Sequence, residues 1–107
     1  MKKVVLYDSF QFGKGKMLKL HMEKIQDIKE EIESDGNEII GEFYDKCNEF
    51  LRPEKRPEYL RLYELCNTDE VNELYVITIN VAEVPMYNKY REFGLRLKNN
   101  AINLFLP

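Results

Sequence analysis

Four carboxylates, Glu38, Glu42, Asp45 and Glu49, recur at i, i+4, i+7 and i+11. On a helix this spacing lines them along one face, where three successive like-charge pairs each cost about 0.2–0.5 kcal/mol. Lys46, four residues after Glu42, offsets one of them. A stripe that repels itself suits the capture of a basic partner, because electrostatic steering speeds the encounter. Tyr44 lies inside the stripe, and tyrosine is enriched in interfaces. An ordinary solvated helix face has the same pattern.

The other chemistry-bearing residues give weaker signals. Carboxylate-bridged two-metal bundles pair a Glu with a His three residues on. Here Asp45 stands three residues after Glu42, and His21 is the one histidine in the chain. Neither a metal site nor a cofactor is expected. Gly13-Lys14-Gly15-Lys16 ends like a phosphate loop, but Phe10 occupies the first glycine position and Met17 the hydroxyl position. Lys14, Lys16 and Lys19 could still hold an anion at a helix amino end, although the macrodipole favours acids there. His21 could activate Cys47 or Cys66 only within hydrogen-bond reach. Both cysteines fall on apolar faces, where thiols are inert packing. Their spacing fits neither a disulfide scaffold nor a metal finger, so two reduced thiols are expected.

The elements that must position these residues follow from periodicity. Residues 4–12 are rich in β-branched and aromatic types and read as a short extended arm, within 1–12. From Lys16 to Ser34, Leu18, Met22, Ile25, Ile28 and Ile32 form an amphipathic helical stripe, with His21 at its edge. Asp35-Gly36 is a turn signal, and Asn37 a cap for a second helix running through Leu51. Pro53 or Pro57 suits the first turn of a third helix, which carries Leu60, Tyr63 and Cys66. Asn67-Thr68-Asp69-Glu70 reads as the start of a fourth helix, and Val71 to Glu83 as its body. Leu74 to Ile79 has strong β propensity, which keeps a buried strand as the alternative. Beyond Pro85, Met86, Tyr90, Phe93 and Leu97 give a last helix, and the apolar tail at 102–106 docks on the core.

These elements predict one domain over 1–107: a mainly α bundle of about five helices with an extended N-terminal arm. The alternative is α+β, with residues 4–8 and 74–82 paired in a small sheet. The bulk figures agree with one globular unit: 107 residues, 44% hydrophobic and 33% charged. The apolar run after Lys3 ends at Asp8, too short for an export signal, and no stretch is long enough to span a membrane. A cytoplasmic location is therefore expected. Charge is uneven: residues 1–24 hold six lysines against Asp8 and Glu23, whereas residues 25–49 hold nine acids against Lys29 and Lys46. A net charge of −3 argues against general nucleic-acid affinity.

The function expected is non-enzymatic binding of a basic protein through Glu38, Glu42, Asp45, Glu49 and Tyr44. Immunity, antitoxin and anti-defence proteins offer a physical analogy. A homodimer could use the extra aromatic surface. The second expectation is recognition of a small phosphorylated ligand by Lys14, Lys16 and Lys19.

Overall fold

The computed structural model describes residues 1–10, 15–47, 51–77 and 96–99. Its elements are β1 (Lys3–Phe10), α1 (Gly15–Ser34), β2 (Glu38–Lys46), α2 (Pro57–Cys66), β3 (Glu73–Val76) and β4 (Arg96–Asn99), with a 3-10 turn at Pro53–Lys55. The strands form one four-stranded sheet in the order β2-β1-β3-β4. Every pairing is parallel: Val4 meets Ile39 and Glu73, and Leu74 meets Leu97.

Helices cover both faces of the sheet. Val4, Leu6, Tyr75 and Ile77 pack against Ile25, Ile28 and Ile32 of α1. Val5, Tyr7, Phe43, Leu74 and Val76 pack against Tyr59, Leu62 and Cys66 of α2. The two connections, from β1 to β2 and from β2 back across β1 to β3, run in opposite directions along the sheet, and crossovers of one hand then place their helices on opposite faces. An interior parallel strand covered on both faces is apolar without alternation. That is why Val4 to Tyr7 and Leu74 to Ile77 are buried without interruption.

The expected five-helix bundle is therefore corrected to an α/β fold, with two α-helices among the described residues. The extended arm is an interior strand. The second expected helix, 37–51, is β2 over its described part: Gly41 disfavours helix, and Ile39, Ile40, Phe43 and Tyr44 are β formers. The fourth expected helix is replaced by β3. Asn67 closes α2 instead of opening a helix, and Asp69 takes a left-handed backbone with φ 62°. Strand pairing near 4–8 and 74–82 exists as Val4–Tyr7 with Glu73–Val76, within a parallel layered sheet rather than an α+β arrangement. Arg96 and Leu97, expected to end the last helix, begin β4. Residues 78–95 and the tail lie outside the described residues.

The helices at 16–34 and 57–66 form as their apolar periods require. Pro57 occupies the first turn of α2, and Gly36 makes the turn after α1 with φ 78°. Met22 is exposed, and buried His21 takes part of the inner face instead. Among the described residues, no helix is long and apolar enough to cross a membrane.

Candidate functional site

Open parallel sheets bind ligands outside the carboxyl ends of their strands, where the strand order reverses. Here the chain runs from β1 to β2 on one side and then crosses to β3 on the other, so the reversal lies between β1 and β3. Asp8, Ser9 and Phe10 end β1 at this point. Ile77, directly after β3, donates its N–H to the Tyr7 carbonyl at 3.0 Å. The connection from β1 brings the amino end of α1, with Lys16 in its first turn, to the same end of the sheet.

Ser9 shares the α2 face with Tyr7, because successive side chains of a strand alternate. It is 4% exposed and opposes Asp45 of β2 in register. Asp45 joins three elements. Its Oδ2 accepts from the Tyr7 hydroxyl at 2.8 Å and from Tyr59 N–H at 2.9 Å, while Oδ1 accepts from Glu58 N–H at 3.0 Å. The carboxylate thus caps the first turn of α2, where free N–H groups and the helix dipole favour a negative charge. Arg56, fully buried, donates from Nη1 to the Tyr7 hydroxyl at 3.2 Å and from Nε to the Leu51 carbonyl at 2.9 Å. Burial pushes the Tyr7 phenol well above its ordinary value; Arg56 opposes this and Asp45 adds to it. Tyr7 therefore stays protonated and keeps donating to Asp45.

A different pair occupies the α1 face. His21 Nδ1 lies 2.6 Å from Asp8 Oδ2 in a hydrogen bond, and both side chains are buried. The other oxygen, Asp8 Oδ1, has no hydrogen-bond partner among the described residues. Nearer the surface, Tyr44 donates to Glu42 Oε1 at 2.6 Å, and Lys29 Nζ lies 3.2 Å from Glu42 Oε2. Burial, then the Glu42 carboxylate, raises the Tyr44 phenol above its ordinary value.

The carboxylates expected on one helical face are distributed differently. Glu38 is exposed at the start of β2, Glu42 is paired with Lys29, and Asp45 is buried as the α2 cap. Glu49 lies outside the described residues. Tyr44 is half-buried beside the α1 core. Lys19 is exposed, 4.0 Å from Glu23, Lys16 belongs to α1, and Lys14 lies outside the described residues. Cys66 sits on the α2 face, across the sheet from His21, so this pair forms no nucleophile and base. Burial pushes the Cys66 thiol up to about 12, which keeps it protonated and inert. Cys47 and Cys66 are not bonded to each other. No group of three metal-ligating side chains occurs among the described residues.

Sequence reasoning missed Ser9, the Asp8–His21 pair and the Tyr7–Asp45–Arg56 network. A signal was present: Asp8-Ser9 closes an apolar strand run, and Gly13 and Gly15 then precede a helix.

No family model and no curated protein matches the chain. Solved structures do share its fold. One is the C-terminal catalytic domain of ISC1926 TnpA, an IS607-like serine recombinase, at a TM-score of 0.73 and 12% identity. That likeness covers 92% of this chain and 69% of the other. Another is the N-terminal catalytic domain of TP901-1 integrase, at a TM-score of 0.69 and 14% identity, covering 92% and 77%. The expectation of a non-enzymatic, helical, inhibitor-like binder is corrected accordingly: the chain has the fold of catalytic domains, and the helix that was to carry the acidic stripe is a strand. The expectation against nucleic acid falls with it. It rested on the net charge and the acidic segment 25–49, whereas this fold occurs in recombinase and integrase domains.

Proposed function

We propose that the chain is a phosphoryl-transfer domain of the serine-recombinase kind, with Ser9 as the nucleophile toward a DNA phosphodiester. The observation that carries this is the position of Ser9: the carboxyl end of an interior strand, beside the reversal in strand order. The sequence holds only two serines, and the other, Ser34, ends α1 at the opposite end of the sheet. If a serine does the chemistry on this fold, it is Ser9.

The step balances without a cofactor. Ser9 Oγ bonds to phosphorus, the bond from phosphorus to a deoxyribose oxygen breaks, and the serine proton ends on that oxygen. A phosphoserine ester and a free hydroxyl end result. The energy of the broken ester stays in the new one, which makes the cut reversible. The phosphate would rest against the amino end of α1, where unpaired N–H groups attract anions, with Lys16 and Lys19 of its first two turns as the proposed counter-charges. Because Ser9 is buried, attack requires the strand end to open.

The test is trapping of covalent complexes on supercoiled plasmid DNA, stopped with detergent. Wild-type protein is expected to leave protein-linked breaks, and S9A none while still binding DNA. Adducts that persist in S9A, or their absence from a wild-type protein that binds DNA, would overturn the assignment.

A further inference from the structure

Three cations between β2 and α2 have no part in the site described so far. Lys46 ends β2 and opposes Phe10, the residue after Ser9, in register. Arg52 precedes the 3-10 turn at Pro53–Lys55, and Lys55 ends it. All three residues are exposed. Lys46 and Lys55 make no ion pair among the described residues. Arg52 lies 4.0 Å from Glu54, but both side chains are exposed, and such a contact is weak in water.

The backbone that carries them is pinned beside Ser9. Lys55 N–H donates to the Arg52 carbonyl at 2.9 Å, closing the turn. Buried Arg56 reaches back to the Leu51 carbonyl and across to the Tyr7 hydroxyl, two residues before Ser9. Asp45 ties the start of α2 to the end of β2. Because β1 and β2 are parallel, their carboxyl ends lie side by side, and the turn sits at the same end of the sheet as Ser9. The nearby acids do not cancel its charge. Asp45 is buried under three donors, and Glu58 holds Arg61 with both oxygens. That leaves Glu54 as the exposed acid of the turn.

We propose that Lys46, Arg52 and Lys55 form a track for the DNA backbone on the β2 side of Ser9. A DNA strand seated at Ser9 continues past it in both directions, and on one side its next phosphates meet this turn. Such contacts set the position of a duplex without reading its sequence. The track rests on the function proposed above and adds to it the direction of the duplex, across the carboxyl ends of β1 and β2.

The test measures binding of a short DNA duplex by fluorescence anisotropy at several salt concentrations. All proteins carry S9A, so that no covalent chemistry intervenes. The triple variant K46A/R52A/K55A is compared with its parent and with K3A, which removes an exposed lysine at the amino end of the sheet. Losing three phosphate contacts is expected to flatten the slope of log K against log salt by about 2–3. K3A is expected to match the parent. A triple variant with the parent's slope overturns the track. So does a K3A protein that flattens in proportion, because net charge alone then explains the loss. If the triple variant does not fold, the singles R52A and K55A decide, each with an expected change of about 1. Ser9 adducts in the wild type with an unchanged slope in the triple variant refute the track alone. A flattened slope without Ser9 adducts refutes the reaction alone, and a parent that binds no DNA refutes both.

Discussion

Asp45 shows how one side chain can decide local architecture. Its carboxylate accepts from the Tyr7 hydroxyl and from two backbone N–H groups at the start of α2. Asp45→Ala strands all three donors in a buried place, and the cap and the hydroxyl together imply a loss of about 3 kcal/mol. Urea unfolding should show this as a lower midpoint at unchanged slope; a loss under about 1 kcal/mol would contradict the cap's importance. The sequence marks Asp45 as an acid with acidic neighbours and nothing more. Its partners lie 38, 13 and 14 residues away, and no local pattern announces pairings of that length. Ser9 had only the weak signal of closing an apolar strand run, because a strand-end serine gains meaning once the strand order is known.

At the scale of elements, α1 and α2 were legible because one face of each is apolar and proline or glycine marks their ends. β2 was not. Its pairing with β1 slips between Val4 and Val5, where Ile40 is passed over and Gly41 becomes the partner of Val5. Ile39 then faces the α1 side, while Ile40 and Phe43 both pack on the α2 side. The period of two is broken, and the apolar residues fall at spacings that mimic a helix. Gly41 belongs to that irregularity: an added Cβ would sit 2.7 Å from Phe43 Cε2 and 3.3 Å from Leu65 Cδ2. Gly41→Ala is expected to cost about 2 kcal/mol through this crowding, read by chemical denaturation. A neutral result would mean that Phe43 can swing aside.

Across the whole molecule, topology explains what composition misread. A chain with a net charge of −3 looks unsuited to nucleic acid, yet its charge is segregated along the sequence. The amino end of α1, with Lys16 and Lys19, follows β1 at the carboxyl end of the sheet, while the acidic run Glu30 to Asp35 falls at the far end of α1. Lys16→Ala and Lys19→Ala should each weaken DNA binding and flatten the dependence of log K on log salt by about 1. Fluorescence anisotropy at several salt concentrations reads both quantities, and unchanged slopes would remove these lysines from the phosphate path. The most direct measurement of the central claim is mass spectrometry of the tryptic peptide 4–14 after reaction with DNA and nuclease digestion. A nucleotide mass fragmenting from Ser9 is the predicted result; a nucleotide carried by Tyr7, or by another peptide, would contradict it.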